Sequence, residues 1–283
     1  MDSTPEAPAT PLSAKADADL GASGASSSNA TPLLSLRGVS KQFGAVQALR
    51  GVDLDIPNGQ VTALIGDNGA GKSTLIKTIS GIWAPSEGHM FWKGEEVHVH
   101  SPRDAARLGI ATVYQDLALC DNLDIVQNLY LGREETDRGL LDEIKMELAT
   151  IQTLKDLSVS TVRSVRQLVG SLSGGQRQAV AVARAVMRDS QLVIMDEPTA
   201  ALGVSQTAQV LELIRTLASR GIAVLVISHN LIDVFSVADR VAVMYLGNLV
   251  STGPAANYDT ASAVELITTG ESSRVPSSLS STQ

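Results

Sequence analysis

The glycine-rich segment at residues 66–74 limits the possible folds of this chain more than any other feature of its sequence. It reads Gly-Asp-Asn-Gly-Ala-Gly-Lys-Ser-Thr and matches the pattern G-x-x-x-x-G-K-[ST]. A short apolar run, Val61–Ile65, precedes the segment, and a helical pattern over Lys72–Ile82 follows it. A strand that ends in such a loop and continues as a helix is a building unit of α/β folds. The segment therefore predicts a strand, a tight loop and a helix in this order.

The residues of this loop have the chemistry of a phosphate-binding site. Glycines allow successive backbone N–H groups to curve around phosphate oxygens, and the start of a helix adds the positive end of its dipole. Lys72 is expected to reach the β and γ phosphates of ATP, and the Ser73 hydroxyl to ligate Mg²⁺. The alternative is a glycine-rich turn that matches by chance, and the strand and helix on either side argue against it. The predicted nucleotide-binding residues are Gly66, Asp67, Asn68, Gly69, Ala70, Gly71, Lys72, Ser73 and Thr74.

A loop of this kind does not distinguish kinases, GTPases and motor or transport ATPases from one another. A guanine-specific site would normally show an [NT]-K-x-D sequence, and the chain has none in a suitable place. A small-molecule kinase would need a pocket for its acceptor, for which the sequence shows no signature. The choice among these classes therefore depends on other motifs.

The rest of the chain alternates between strand and helix patterns. Three further apolar runs are typical of strands covered on both faces, namely Leu192–Met195, Ala223–Ile227 and Val241–Tyr245. Alternation at Val52, Leu54 and Ile56 indicates a half-exposed strand. Helical patterns cover Gly174–Arg188 and Gln206–Arg220, and Ser101-Pro102 and Gly109 are suited to begin and end another helix. These patterns predict an α/β fold with a mostly parallel sheet.

Three regions lack this alternation. Residues 116–167 are rich in Leu, Ile and Glu without clear strands, so we predict a mostly helical insertion there. Only a short segment is expected after the last predicted strand, Val241–Tyr245. Residues 1–32 are dominated by small and polar residues and predict a disordered tail. The serine-rich residues 271–283 predict a flexible tail. Residues 33–270 are therefore expected to form a single domain.

Composition excludes several classes of protein. The 283 residues carry a formal net charge of −8, so the chain as a whole has no basic surface for nucleic acid. The single cysteine, Cys120, excludes an internal disulfide and fits a reducing compartment. No apolar run approaches the ~18 residues needed to cross a bilayer. We expect a protein that is soluble and cytoplasmic, or bound to a membrane through a partner.

Two adjacent acids follow the second of the apolar runs. The strand Leu192–Met195 delivers Asp196 to the phosphate side of the sheet, where its carboxylate is expected to hold Mg²⁺ directly or through water. Glu197, one residue further, is expected to act as the general base for the attacking water. The alternative is a buried strand that ends in a solvated acidic turn, which becomes improbable when it is paired with the loop at residues 66–74.

One more motif indicates the family. Leu172-Ser173-Gly174-Gly175-Gln176 begins a helix 20 residues before the Asp-Glu pair. It resembles the signature motif of the ATP-binding-cassette (ABC) ATPases, and the resemblance covers about residues 33–255. Three single residues resemble further elements of this family in the expected order: Phe43, the aromatic that stacks on adenine; Gln115, which links the metal site to the helical subdomain; and His229, which contacts the γ-phosphate.

The resemblance implies how the chain works as well as its fold. It implies an ABC ATPase core with an antiparallel β subdomain and a helical subdomain at about residues 116–167. It also implies that two copies face head to tail as a homodimer, so that Ser173, Gly174, Gly175 and Gln176 of one copy close over ATP bound to the other. Gly203 departs from the family, because most members have an aspartate there that helps couple the two nucleotide sites.

The resemblance extends to one branch of transporters. Residues 101–117, 128–133 and 197–202 are similar to bacterial monosaccharide importers. This similarity implies a peripheral subunit at the cytoplasmic face of the cell membrane, with separate permease subunits and a sugar-binding protein as partners and no nucleic acid. The alternative is a soluble ABC ATPase that acts on a ribosome or DNA complex. The tandem cassettes, coiled-coil inserts and basic arms usual in that class are not visible. A regulatory nucleotide-binding module and an exporter also remain open.

Overall fold

The computed structural model describes residues 31–159, 161–187 and 189–275. Within these residues the strands are β1 (Leu34–Phe43), β2 (Val46–Ile56), β3 (Val61–Gly66), β4 (Glu87–Trp92), β5 (Glu95–Val97), β6 (Ile110–Val113), β7 (Thr136–Asp137), β8 (Leu140–Leu141), β9 (Leu192–Asp196), β10 (Ala223–Ile227), β11 (Arg240–Tyr245) and β12 (Asn248–Pro254). The helices are α1 (Lys72–Ile79), α2 (Pro102–Leu108), α3 (Ile125–Tyr130), α4 (Glu143–Asp156), α5 (Gly174–Val186), α6 (Val204–Ser219), α7 (Leu231–Val237) and α8 (Thr260–Thr269).

A six-stranded sheet in the order β12-β11-β3-β10-β9-β6 forms the centre of the fold. Its strands run parallel except for β12, which is antiparallel to β11. Along β9, Val193 and Met195 pack in one apolar cluster with α5 and α6, whereas Ile194 packs in another with α1. Both faces are therefore covered, which is why the strands read as continuous apolar runs. The predicted α/β fold with a mostly parallel sheet is confirmed.

A second sheet, in the order β2-β1-β4-β5, is antiparallel throughout. Its inner face contributes Leu36, Leu54 and Trp92 to the apolar cluster that also holds Leu75 and Ile76 of α1. The helix that follows the glycine-rich loop is thus packed between the two sheets. This sheet is the antiparallel β subdomain that the resemblance implied.

The predicted helical insertion, residues 116–167, contains helices α3 and α4. Helices α3, α4 and α5 share a core that includes Ile125, Leu129, Met146 and Val180. The expectation of no clear strands there is wrong in one detail, because β7 and β8 pair as a hairpin of two residues on each side. Strands this short leave no apolar alternation in the sequence, so the pattern could not reveal them.

The predicted element boundaries are correct within a few residues, with one clear error. Helix α1 ends at Ile79 instead of Ile82, since Gly81 adopts a left-handed φ of 74°. Helix α2 has Ser101 as its N-cap and Gly109 as a left-handed C-cap, as predicted. Val241–Tyr245 is not the last strand, because β12 and α8 follow it. In β12 two of the buried positions are Ser251 and Gly253, which hides its alternation.

The two predicted tails fall largely outside the described residues. Residues 1–30 and 276–283 are not described, so the disordered N-terminal tail and the flexible C-terminal tail stay predictions. Arg188, the last residue of the predicted helix Gly174–Arg188, also lies outside the described residues.

Candidate active site

The candidate site residues lie along one edge of the central sheet. Strands β6, β9, β10 and β3 are parallel neighbours, so their carboxyl ends point in the same direction. The glycine-rich loop follows β3, Asp196 ends β9 opposite Ile227 of β10, and His229 lies two residues beyond Ile227. Gln115 lies two residues beyond the end of β6. Ligands of open α/β sheets bind at this edge, so the topology brings together motifs that are far apart in sequence.

The glycine-rich loop depends on backbone conformations and close approaches that only glycine allows. Gly66 and Gly71 have φ values of 157° and 104°. A Cβ atom on Gly66 would lie 2.5 Å from the carbonyl oxygen of Met244, and one on Gly71 would lie 2.8 Å from that of Ala48. Helix α1 begins directly after the loop, and no side chain caps its first N–H groups. These N–H groups are available to bind an anion.

Lys72 is folded into this loop. Its Nζ donates hydrogen bonds to the carbonyl oxygens of Gly66 at 2.7 Å and Asp67 at 2.9 Å. Burial lowers the pKa of Lys72, and the nearby carboxylates of Glu197, Asp67 and Asp196 partly oppose that shift. A half-buried ammonium group among backbone carbonyls is positioned to bind a strongly charged anion such as a phosphate.

A cavity of about 390 Å³ lies over the loop. Six of the nine predicted nucleotide-binding residues line it, namely Asn68, Gly69, Gly71, Lys72, Ser73 and Thr74. Sequence reasoning missed the other lining residues, which are Val46, Gln47, Ala48, Arg50, Leu246 and Gly247. The Gly247 N–H donates to the Ala70 carbonyl at 3.0 Å, and the Arg50 N–H donates to the Gly247 carbonyl at 2.9 Å. The turn between β11 and β12 is thereby joined to both the loop and β2.

The two acids at the end of β9 differ in environment. Burial raises the pKa of Asp196, the negative charge of Glu197 raises it further, and Lys72 lowers it. Glu197 adopts a left-handed φ of 50°, and its N–H donates to the Ile227 carbonyl of β10 at 2.8 Å. This bond fixes the backbone of Glu197 against the strand that leads to His229.

Glu197 and His229 make direct contact. His229 Nδ1 lies 2.9 Å from Glu197 Oε2. At this distance the two side chains form an ion pair when the imidazole is protonated. The side chain of Glu197 is 18% exposed and that of His229 is 75% exposed. The pair therefore joins an enclosed carboxylate to an imidazole that faces the solvent.

The donor set suits Mg²⁺, which binds through one or two carboxylates, substrate phosphates and water. Asp196 supplies a carboxylate whose burial favours a neighbouring cation, and Ser73 supplies a hydroxyl on the first turn of α1. Gln115 is exposed beyond β6 and offers an amide oxygen. In the described part of the chain no three His, Cys, Asp or Glu side chains gather around one point. A metal with few protein ligands is what this arrangement can hold.

The Ser173 motif begins α5 with a capping box. Gln176 N donates to Ser173 Oγ at 3.4 Å, and Ser173 N donates to Gln176 Oε1 at 2.9 Å. Gln176 Nε2 donates in turn to the Thr161 carbonyl at 2.6 Å, so this side chain is bonded within its own subunit. Gly175 is buried against Gln206, where an added Cβ would lie 3.1 Å from the Gln206 side chain. Ser173 and Gly174 remain exposed.

The family described as ABC transporter matches residues 49–200, which is more than half of the chain. The chain is 49% identical over 218 residues to the xylose/arabinose import ATP-binding protein of Sulfolobus acidocaldarius, covering 77% of this chain and 86% of that one. The chain belongs to the ABC transporter family. It is the ATP-binding subunit of such a transporter and an ATPase.

Other ABC proteins resemble this one in sequence and structure. The fructose import ATP-binding protein of Rhizobium meliloti is 45% identical, with 84% of this chain and 94% of that one covered. A ribose import ATP-binding protein of Rubrobacter xylanophilus is 44% identical, but this chain covers only 47% of its length. Among solved structures, the ABC transporter cassette MJ1267 has a TM-score of 0.74 at 28% identity, with 83% of this chain and 98% of that one covered.

Phe43 is the site residue of this ABC ATPase whose predicted role the geometry supports least directly. Its ring packs edge-on against Trp83, with centroids 4.7 Å apart, and it is 40% exposed. Of the described residues in the same hairpin, Val46 and Gln47 line the cavity and Phe43 does not. Adenine stacking on Phe43 therefore stays a prediction.

Proposed function

We propose that this ABC ATPase drives the import of a monosaccharide through separate membrane permease subunits. The relatives support this substrate class, since they are import ATP-binding proteins for xylose or arabinose, for fructose and for ribose. No helix in the described residues has the length and apolar character to span a membrane. The proposed location is the cytoplasmic face of the membrane, peripheral and bound to the permease. An extracytoplasmic sugar-binding protein would deliver the substrate.

The Glu197–His229 contact beside the glycine-rich loop is the observation that carries the proposed chemistry. In the proposal the loop and Lys72 bind the β and γ phosphates of ATP, while Ser73, Asp196 and Gln115 hold Mg²⁺. When bound, Mg²⁺ neutralises phosphate charge. Glu197 accepts a proton from the water that attacks the γ-phosphorus, the bond to the β-γ bridging oxygen breaks, and ADP and phosphate form. His229 holds the Glu197 carboxylate through Nδ1 and directs Nε2 towards the γ-phosphate.

Each nucleotide site is proposed to need a second copy of the chain. No described residue of α5 lines the cavity over the glycine-rich loop. The N-terminus of α5 is exposed at Ser173 and Gly174, and it presents N–H groups and a positive dipole end to the surroundings. An ATP-bound homodimer in which α5 of one copy caps ATP on the other would use these groups.

The experiment that tests the proposal traps this dimer with its partners. A tagged Glu197→Gln variant is expressed in the native host, its membranes are solubilised with Mg²⁺ and ATP present, and the co-purifying proteins are identified. We expect a multispanning permease, and a Lys72→Ala variant with the same tag provides the control without ATP binding. Recovery only from the soluble fraction with ribosomal or DNA-bound proteins would overturn the import proposal while leaving the ATPase assignment intact.

A further inference from the structure

The turns that carry Glu197 and His229 are joined by two hydrogen bonds and one close side-chain contact. At the base of the turns, the Glu197 N–H donates to the Ile227 carbonyl at 2.8 Å. The His229 Nδ1 atom lies 2.9 Å from the Glu197 carboxylate. Furthest from the sheet, Thr199 Oγ1 donates to Asp233 Oδ2 at 2.7 Å. The Glu197–Ile227 bond belongs to the edge of the sheet, and the His229–Glu197 contact belongs to the candidate active site. The Thr199–Asp233 bond lies outside both.

The Glu197 turn needs such support because its backbone is strained. Glu197 and Ala201 adopt left-handed φ values of 50° and 60°. A left-handed conformation is disfavoured for a residue with a Cβ, and it persists only where the surroundings enforce it. Within the turn, Ala200 N donates to the Glu197 carbonyl at 3.1 Å and Leu202 N to the Thr199 carbonyl at 3.3 Å. These local bonds shape the turn but do not fix its position relative to His229.

Hydrogen bonds connect the residues of the His229 turn as far as the first turn of α7. Asn230 N donates to Ser228 Oγ at 3.1 Å, and the Asn230 side chain accepts from Ile232 N at 3.1 Å to cap α7. Asp233 lies in the first turn of α7, where a carboxylate interacts favourably with the helix dipole. A hydrogen bond from a hydroxyl to a carboxylate is about twice as strong as one between neutral groups. Thr199 is therefore bonded to the capped first turn of α7.

We propose that Thr199 and Asp233 are positioning residues that hold the Glu197 carboxylate in register with His229 and the attacking water. Neither side chain lines the cavity over the glycine-rich loop, and neither do Glu197 and His229. The inference rests on the proposed role of Glu197 as general base. It predicts that loss of the bond lowers the rate of the chemical step and leaves ATP affinity unchanged.

The test compares variants at the two ends of the bond. Thr199→Val removes the donor at nearly constant volume, Thr199→Ser retains a hydroxyl, and Asp233→Asn removes the charge. Because a misplacement of 1 Å in a catalytic group can cost about 100-fold in rate, we expect Thr199→Val to lower kcat by about 10- to 100-fold. KM for Mg²⁺-ATP should stay within a factor of two, and Thr199→Ser should restore most of kcat.

A double variant and a matched control exclude a general loss of structure. Thr199→Val combined with Asp233→Asn should be no slower than the slower single variant, because a change at residue 233 acts on Thr199 only through the bond that Thr199→Val already removes. Thr216→Val makes the same change on α6, where Thr216 Oγ1 bonds to the Glu212 carbonyl, and it should retain wild-type kcat. The thermal melting point and ATP binding of each variant are measured alongside.

The outcomes separate this inference from the function on which it rests. Multiplicative losses of kcat in the double variant, a raised KM at unchanged kcat, or no effect of Thr199→Val would each overturn the positioning role. If Glu197→Gln retained the wild-type ATPase rate, the general-base assignment would fail first. A large loss in Glu197→Gln together with no loss in Thr199→Val would overturn the positioning role alone.

Discussion

Lys72 bonds to two carbonyl groups of its own loop, and the phosphate site depends on this one ammonium group. Lys72→Ala should weaken ATP binding by about 10- to 100-fold for each charge-assisted hydrogen bond lost, since such bonds contribute about 1.5–3 kcal/mol. Titration calorimetry with Mg²⁺-ATP measures the change. Lys155→Ala, at the exposed end of α4, changes the net charge equally and should bind ATP as the wild type does. Tight binding by Lys72→Ala would contradict the phosphate site.

Asp196 is expected to cost stability when neither nucleotide nor metal is bound. Burial and Glu197 raise its pKa, so the folded state disfavours its charged form. This cost is present above the raised folded pKa and disappears as the pH falls below the unfolded value of about 3.8. At pH 7 with EDTA, Asp196→Asn should raise the free energy of unfolding by about 0.5–2 kcal/mol, the usual range for a relieved functional-site residue. Urea denaturation measures it.

The same Asp196→Asn variant should lose the stabilisation that Mg²⁺-ATP gives the wild type. A ligand that binds only the folded state raises the melting temperature, and loss of the carboxylate weakens the proposed metal site. An apo protein less stable than the wild type, or an unchanged shift with Mg²⁺-ATP, would contradict the role of Asp196. Ser190→Ala is not a suitable control, because it would remove a buried hydrogen bond from Ser190 Oγ to the Ala185 carbonyl. Asp156→Asn, at the partly exposed end of α4, is a suitable control.

Single residues of the site differ in how far the sequence alone predicts them. Asp196, Glu197 and His229 each follow a buried parallel strand, so their position at the carboxyl edge follows from strand order. Val46, Gln47 and Leu246 line the cavity through the packing of β2 and the β11–β12 turn on the loop, which no local pattern encodes. For Gln176, the motif indicates the helix start, whereas its bond to Thr161 depends on tertiary contacts.

Among the elements, α6 begins with an N-cap that the sequence leaves incomplete. Gly203 has a φ of −74° and a ψ of 162°, and no side chain caps α6. No atom lies within 4 Å of a Cβ built on Gly203, so a larger residue fits without displacement. Gly203→Asp should stabilise the protein by about 0.5–1 kcal/mol through capping, the helix dipole and lower unfolded-state entropy.

Thermal or urea unfolding of Gly203→Asp measures this gain, with Gly203→Ala as the matched comparison. Alanine shares the reduced unfolded-state entropy but cannot cap, so any excess in the aspartate variant reports the cap and its charge. Equal stability of the two variants would show that the side chain of residue 203 does not cap α6. The resemblance to the ABC ATPases implies an aspartate at this position, so the variant also measures the stability that this chain loses by having glycine there.

Elements differ in predictability for reasons of packing. The boundaries of β10 agree with the sequence because a strand covered on both faces reads as a continuous apolar run. Strand β12 lies at the sheet edge and α8 buries Ser262 and Ala263, so neither shows a strong apolar period. The β7–β8 hairpin is too short for any period. The sequence therefore predicts the centre of the sheet better than its periphery.

For the whole molecule, the groups proposed for hydrolysis divide into two sets. The glycine-rich loop, Asp196, Glu197 and His229 converge at one edge of the sheet. The N-terminus of α5 is exposed at Ser173, and no described residue of α5 lines the cavity over the loop. In the proposed homodimer the first set acts on the ATP bound by its own copy, whereas the N-terminus of α5 acts on the ATP bound by the other copy. A defect in either set should therefore be rescued by mixing chains.

Ser173→Arg and Lys72→Ala place one defect in each set. Arginine at residue 173 obstructs the N-terminus of α5 and removes its cap, at a cost of about 1 kcal/mol that a melting curve detects. The variant should bind ATP as the wild type does, because its loop is intact, and should lack ATPase activity. Lys72→Ala should lack both.

Equimolar mixing of these two inactive variants decides between a shared site and a self-contained one. In a heterodimer, the intact loop of the Ser173→Arg chain meets the intact α5 of the Lys72→Ala chain, which completes one site of two. Random pairing makes half of the dimers mixed, so the mixture should recover about a quarter of wild-type ATPase activity in a two-fold symmetric assembly. If both sets belong to one chain, every chain in the mixture carries a defect and the activity stays at background.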